Sequence, residues 1–421
     1  MTVLLERPPP PRPAAGRLVG RDPFIDVLRV SGLALVLLQH WTIPVLSFDG
    51  GRLVTGNALA TPGVWVVTWL SQVLPLVFFA GGAANAISFG RATGGGPAWL
   101  LTRLRRLAWP VLPLAAVWIP LPHALLALGV PQQPLEVGAR LIGQLLWFLA
   151  VYVIAVAATP YLLRLHAAHG PRVPAALGAG AVLTDVVRFA TGWDALGYLN
   201  IVFVWLAVHQ LGFWYAEGRL TRAVPWLMTA GGFGAAALLV AFGPYPGSMI
   251  GLPGAAMSNM APPTLAMLAV GAGQIGLATL LRPWILRLPI RRPLAWAGPR
   301  VMTAYLWHMP ALFVVSGVVV VGLRIDTPAP GGAFWLAGWP LWFGLLCLVL
   351  WPLLRVLARF EEPPALPYGR AGWGGALVSA ALIGGGLLAL TVAGFAPGPT
   401  PVLALLAISA GLLTTGPRAR F

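Results

Sequence analysis

Ionisable side chains are concentrated in the first long apolar stretch of the chain. Asp26, Arg29 and His40 all lie within RDPFIDVLRVSGLALVLLQHW, and His40 follows Arg29 by eleven positions. Eleven steps of about 100° make three helical turns plus about 20°, so Arg29 and His40 share one helix face, about 16 Å apart along the axis. Asp26 precedes Arg29 by three positions, which allows the two side chains to pair.

This spacing suits proton-transfer chemistry within a membrane. A histidine titrates near neutral pH and can act as a general base. Arg29 is expected near one membrane boundary and His40 beyond the midplane, so one helix face marks a path into the membrane. In the alternative interpretation, His40 bonds a neighbouring helix and Arg29 reaches the lipid headgroups.

A second cluster of charges follows in RATGGGPAWLLTRLRRLAWP. Arg103 and Arg106 are three positions apart on a predicted helix and share a face, and Arg105 adds a third charge. Arginine side chains bind phosphate oxygens through two parallel hydrogen bonds. The alternative is that these arginines set the topology and bind anionic lipids.

Weaker candidates are found in three other apolar stretches. Gly81 and Gly82 allow close helix packing or the approach of a ligand to bare backbone. His209 lies in the predicted sixth span. Tyr305 and His308 lie in the ninth and are close enough along a helix to touch. For His209, Tyr305 and His308, hydrogen-bonded helix packing is the alternative to a catalytic role.

The composition is that of a membrane protein. Hydrophobic residues make up 58% of the chain and charged residues 9%, whereas soluble domains carry about 25% charged residues. The net charge of +16 comes from arginine alone, since the sequence has no lysine. These arginines lie in short loops between apolar spans. This placement indicates that they orient the spans in the membrane, and it argues against nucleic-acid binding. The single cysteine and the scattered histidines predict no metal site.

The apolar stretches predict an all-α, polytopic bundle of about twelve transmembrane helices. The predicted spans are 25–46, 63–90, 107–128, 141–163, 174–190, 197–216, 223–243, 263–281, 301–323, 335–358, 374–395 and 399–415. Residues 1–20, rich in proline and arginine, are predicted to be a disordered tail.

The arginines assign the two sides of the membrane. With the N-terminus inside, 22 arginines are cytoplasmic, Arg29 is within a span, and only Arg52, Arg140, Arg188 and Arg324 are outside. This bias predicts a multi-pass protein of the inner or plasma membrane with both termini cytoplasmic.

Taken together, these residues resemble the acyltransferase-3 family of integral-membrane acyltransferases. The resemblance covers about residues 21–360. It rests on the Arg29 and His40 spacing, on the Arg-x-x-Arg of Arg103 and Arg106, and on the shorter stretches FFAGG, LWFL and YLWHMP. Where the family has Ser-Gly followed by an aromatic residue, this chain has Ala-Gly-Gly. Residues 361–421 are expected to add two helices to the family domain.

The resemblance implies an O-acyltransferase. An acyl-coenzyme A donor, often acetyl, is expected to bind from the cytoplasm near Arg103, Arg105 and Arg106, beside Gly81 and Gly82. His40, with Arg29 and Asp26, is expected to act as the base or to carry the acyl group transiently. The acceptor is expected to be a hydroxyl of a sugar, glycolipid, surface polymer or secondary metabolite. No permanently bound cofactor is expected.

Two other functions fit a membrane chain of this size. Intramembrane arginine and histidine also mark the substrate path of a transporter or flippase. Such proteins are often built from structural repeats, and no repeat is found in this sequence. A membrane scaffold without catalysis would not need the charges of Asp26, Arg29 and His40.

Overall fold

The chain forms a bundle of helices with one small hairpin. The computed structural model describes residues 22–221, 223–252, 254–364 and 372–414, and the structure is 76% helical. The predicted tail at residues 1–20 lies outside the described residues. The helices are α1 (Pro23–Thr42), α2 (Thr68–Ser71), α3 (Leu74–Phe89), α4 (Gly95–Ala108), α5 (Val111–Trp118), α6 (Leu121–Ala127), α7 (Gln132–Gln144), α8 (Trp147–His169), α9 (Arg172–Thr191), α10 (Asn200–Ala216), α11 (Val224–Phe242), α12 (Leu265–Ile285), α13 (Arg291–Ala297), α14 (Val301–Ser316), α15 (Ala333–Leu357), α16 (Trp373–Ala393) and α17 (Pro399–Leu413).

The polytopic helical fold is confirmed. Within the described ranges, eleven helical segments are long and apolar enough to cross a membrane. Each overlaps one of the first eleven predicted spans. The twelfth predicted span corresponds to α17, an apolar helix of 15 residues.

Several of the predicted spans have different boundaries in the structure. The fourth was predicted as 141–163, but α7 already begins at Gln132 and α8 ends at His169. The first was predicted to run to residue 46, but α1 ends at Thr42, and a strand begins at Pro44. The third was predicted to begin at residue 107, but α4 already begins at Gly95. The helical path then breaks next to Pro110 and Pro120, because proline lacks the N–H that would continue the hydrogen-bond ladder.

A two-stranded hairpin follows α1 directly. Strands β1 (Pro44–Asp49) and β2 (Arg52–Asn57) are antiparallel, with Asp49 paired to Arg52. Gly50 and Gly51 form the turn with φ values of 53° and 79°, which glycine adopts without steric cost. The hairpin was not predicted, because β1 follows α1 directly and the first predicted span ran into it. The Asp49-Gly50-Gly51 sequence is a turn signal that could have identified the hairpin.

The loops separate into two groups at opposite ends of the bundle. At one end, the Leu46 N–H donates to Thr327 Oγ1 (2.7 Å), the Leu53 N–H donates to Gln133 Oε1 (2.9 Å), and the Phe395 N–H donates to the carbonyl of Ala139 (3.0 Å). These contacts bring together loops that the arginine count places outside.

The arginine-rich loops meet at the other end. The Tyr215 hydroxyl donates to Asp22 Oδ2 (2.7 Å) and accepts from Arg282 Nε (2.9 Å). Arg105 Nη2 donates to the carbonyl of Pro364 (2.9 Å). The two groups of contacts agree with the predicted alternation of loops.

The centre of the bundle is packed by aromatic and small residues. Phe78 on α3 stacks on Trp205 of α10, with ring centroids 4.6 Å apart, and meets the edge of Phe148 on α8. Such aromatic pairs contribute about 0.5–1.5 kcal/mol each beyond their burial. Helices α3 and α10 cross so closely that a Cβ atom on Gly82 would overlap the carbonyl oxygen of His209. This packing fixes α3, and with it the side chains beside the arginine cluster.

Candidate functional site

Two histidines from distant parts of the chain meet inside the bundle. His40 lies in the last turn of α1, and His308 lies in the middle of α14. Nδ1 of His40 is 2.8 Å from Nε2 of His308, and the two rings are nearly parallel, with centroids 5.1 Å apart. His308 is fully buried, whereas His40 is only partly buried. The structure thus joins His40 to a residue that was only a weak candidate in the sequence.

The hydrogen bonds of His308 assign the protons on both rings. His308 Nδ1 is 2.6 Å from the carbonyl oxygen of Tyr305. A carbonyl only accepts, so His308 Nδ1 carries a proton, and Nε2 of the neutral ring is an acceptor. His40 therefore donates its Nδ1–H to His308, and the lone pair of the neutral His40 ring lies on Nε2. This is the tautomer that a general base needs.

Surrounding side chains hold this pair of histidines in place. Trp41 Nε1 donates to the carbonyl of His308 (3.1 Å), and Trp342 Nε1 donates to the carbonyl of Trp41 (3.0 Å). The hydroxyl of Tyr305 donates to the carbonyl of Leu145. These hydrogen bonds between buried groups hold the end of α1 and the middle of α14 in a fixed relative position.

His40 also lines a cavity of about 690 Å³. The cavity lies at the hairpin end of the bundle, between β2, α6, α7 and α14. Its wall is mostly apolar. A substrate could therefore reach His40 from the end opposite to the arginine-rich loops.

The predicted arginine cluster forms at that opposite end. Arg29, Arg91 and Arg106 all lie close enough to Arg103 for their charges to act on it. Arg29 and Arg106 are exposed, and Arg103 is partly buried. Four positive charges in one place favour an anionic ligand.

Arg105 and Asp26 are placed differently. Arg105 is buried, and its guanidinium binds the carbonyl of Pro364, so it holds the loop after α15. Asp26 lies partly buried on α1, one turn from Arg29. Its pairing with Arg29 stays a prediction.

Arg103 is oriented by residues that sequence reasoning missed. Its Nη2 donates to Ser88 Oγ, which also accepts from Trp99 Nε1 (3.0 Å). The guanidinium carbon lies 5.7 Å from the centroid of the Trp99 ring. Ser88 donates in turn to the carbonyl of Asn85 (3.1 Å). Asn85 and Ser88 are polar residues within the second predicted span, and that signal could have identified them.

His209 belongs to a separate polar contact. Its Nε2 is 3.1 Å from Asn85 Nδ2, which also lies 3.4 Å from the hydroxyl of Tyr152. A Cβ atom on Gly81 would lie 2.6 Å from that hydroxyl. Gly81 is buried against α8 and Gly82 against α10, so both glycines lie in helix-packing contacts.

Aromatic rings connect the two ends of the site. Tyr152 stacks on Phe148 (centroids 5.8 Å apart), Phe148 meets Tyr305 edge-on (5.7 Å), and Tyr305 lies beside His308 (6.1 Å). Since Asn85 contacts Tyr152 and also accepts from Ser88, which binds Arg103, this row runs from the arginine cluster to the histidine pair. The site thus combines an anion-binding end, an aromatic wall and a base.

Comparison with known proteins gives one match. A family model described as an acyltransferase domain matches residues 22–355, from the start of α1 through most of α15. The match ends before α16 and α17. No curated protein and no solved structure matches the chain.

Proposed function

Since the chain belongs to the acyltransferase-3 family and is a membrane acyltransferase, we propose that it transfers an acyl group, commonly acetyl, from cytoplasmic acyl-coenzyme A to a hydroxyl of a sugar, glycolipid, surface polymer or secondary metabolite. The family assignment favours this activity over transport of a lipid or sugar conjugate. The observation that carries the proposal is the bond between His40 and His308, because it supports a lone pair on His40 Nε2.

In the proposed reaction, His40 first accepts a proton from the acceptor hydroxyl and then donates it to the leaving group. Its Nε2 removes the proton from the acceptor hydroxyl while the hydroxyl oxygen attacks the thioester carbonyl. The tetrahedral intermediate then collapses, and the bond from carbon to sulfur breaks. His40 then donates this proton to the leaving thiolate, which restores the neutral imidazole ring. His308 accepts from His40 Nδ1 throughout and stabilises the imidazolium that forms between the two steps.

The donor is proposed to bind along α1. Phosphates of coenzyme A would contact Arg103 and Arg106, with Arg29 adding a third charge at the same place. Arg29 and His40 are about 16 Å apart along α1, a separation that the long pantetheine arm would bridge. In this arrangement Arg105, Gly81 and Gly82 support the site through packing and do not contact the donor.

The sidedness of the site follows the arginine distribution. The arginine-rich end of the bundle is proposed to face the cytoplasm, where acyl-coenzyme A is made, and the hairpin end to face outward. The protein would then be located in the inner or plasma membrane. Its acceptor would reach His40 from within the membrane or from outside.

The test is acyl transfer by the purified protein in lipid nanodiscs, measured as release of free coenzyme A from labelled acetyl-coenzyme A. We expect His40→Ala to lower turnover at least about 10²-fold, the usual contribution of a general base. His169→Ala is the matched control, since His169 is an exposed histidine at the end of α8. Near-normal turnover in His40→Ala would show that His40 only packs against α14.

A further inference from the structure

The wall of the His40 cavity shows what kind of acceptor it fits. Apolar side chains from three elements line it: Leu121 and Leu125 from α6, Leu135 from α7, and Leu312 and Phe313 from α14. A free sugar buried here would lose most of its hydrogen bonds to water and gain few partners in return, which costs free energy. A ligand with an apolar body loses nothing and removes its own surface from water.

Few polar side chains line this cavity: His40 at the end of α1, Thr55 and Asn57 on β2, Gln144 on α7 and Ser316 on α14. A hydroxyl at one end of a ligand could therefore reach His40 while the rest of the ligand stays against aliphatic walls. This distribution matches an amphiphile better than a uniformly polar molecule.

The cavity opens sideways, between α7 and the end of α14. Three residues that line it are also exposed at the protein surface: Leu141 (38%), Val314 (45%) and Val318 (58%). Val314 and Val318 are one turn apart, where α14 passes into a π-helical segment, Gly317–Gly322. In a bundle that spans a membrane, this opening faces lipid, so a membrane-dissolved molecule can enter without crossing water.

We propose that the acceptor is a membrane-dissolved amphiphile, with a hydroxylated head and an apolar chain, that enters this cavity laterally and presents its hydroxyl to His40. This inference rests on the proposed acyl transfer. The donor's acyl group must also reach His40, but the acetyl group proposed for the donor is small, so most of the cavity of about 690 Å³ is left for the acceptor. Soluble sugars and hydrophilic polymers are then excluded as acceptors unless a lipid carries them.

The test is photo-crosslinking in nanodiscs with a decyl glucoside that carries a photoreactive group in its chain. We expect labelled peptides from the cavity wall, within residues 121–144 and 309–321. Octyl glucoside should compete for this labelling, whereas methyl glucoside and palmitoyl-coenzyme A should not. Val314→Trp narrows the opening and should reduce the labelling at least about fivefold. Val402→Trp is the control, since Val402 is equally exposed (44%) but lies on α17.

Two outcomes would overturn the inference. Labelling spread evenly over the lipid-facing helices and unchanged by Val314→Trp would show that the cavity holds no amphiphile. Competition by palmitoyl-coenzyme A as strong as that by octyl glucoside would assign the cavity to the donor chain. Crosslinking needs no turnover. Full activity of His40→Ala would therefore contradict the proposed chemistry, and the labelling would still report whether the cavity binds an amphiphile.

Discussion

Nδ1 of His40 lies 2.8 Å from Nε2 of His308, although 268 positions separate the two residues in the chain. His308 is itself bound to the Tyr305 carbonyl through Nδ1. The direction of both hydrogen bonds follows from that carbonyl, which can only accept. One backbone oxygen on α14 thereby determines which nitrogen of His40 is available as a base.

We expect His308→Ala to lower turnover by about 10² or more, because His40 would lose the acceptor that selects its tautomer. His308→Gln should recover part of the activity, since its side-chain oxygen can accept from His40 Nδ1. Turnover is measured at saturating donor, together with the thermal unfolding temperature. If the two variants are equally inactive, or equally destabilised, His308 serves packing alone.

Replacing Arg103 and Arg106 by alanine should raise the donor KM about 10² to 10⁴-fold, at about 1.5–3 kcal/mol for each charged contact. The difference between the parent and the variant should shrink as ionic strength rises, because partly exposed charges are screened. A double lysine variant should recover only part of the binding, since lysine lacks the planar fork. Calorimetry with coenzyme A checks both variants.

The control for this pair is Arg172→Ala, which removes an exposed charge from the start of α9. It should leave the donor KM unchanged. Full binding by the double lysine variant would mean that positive charge alone is enough and that no specific phosphate site exists.

Ser88→Ala should raise the donor KM by up to about tenfold with little change in kcat. The Ser88 hydroxyl accepts from Arg103, and its loss leaves the guanidinium free to adopt other rotamers. The exposed Ser31 on α1, which only bonds its own helix, provides the control Ser31→Ala. A change in kcat with an unchanged KM would contradict this role.

Glu361 caps the N-terminus of α14. Its carboxylate accepts from the N–H groups of Met302 (2.9 Å) and Thr303 (3.1 Å) and from the Thr303 hydroxyl (2.6 Å). Glu361→Ala should therefore cost about 1–2 kcal/mol of stability. The neighbouring Glu362 is exposed, and Glu362→Ala should leave the unfolding temperature unchanged.

The same residue predicts a pH dependence. Burial raises the pKa of Glu361 above its ordinary value of 4.5. The stability that this shift contributes is complete below pH 4.5 and is lost as the pH rises through the raised pKa. The unfolding temperature of the parent, compared with that of Glu361→Gln, should thus fall as the pH rises above 4.5. A difference that grows with pH would contradict the shift.

Reporter fusions test the assignment of the two ends. A reporter inserted at Gly51, in the hairpin turn, should be found outside, and one at Gly95, at the start of α4, should be found inside. Gly332 lies just before α15 and should agree with Gly51. A cytoplasmic reporter at Gly51 would invert the proposed direction of donor access.

The sequence alone determined the architecture and one face of the site. Apolar runs of membrane-spanning length can only be helices in lipid, because the backbone has no water to bond, and the arginine bias then orders the loops. The periodicity of one helix places Arg29 and His40 on the same side, whatever packs against it. Local spacing likewise brought Arg103 and Arg106 together.

Only the tertiary structure decided which residues complete the site. The contacts of His40 with His308, and of Arg103 with Ser88, depend on how helices cross. The periodicity of a single helix does not predict these contacts, because it is the same whichever helix packs against it. The same holds for the lateral opening between α7 and α14. Packing also separated Arg105, buried against Pro364, from the exposed Arg106 beside it. Contacts between distant segments are set by the close packing of the whole bundle, and that information is not local in the sequence.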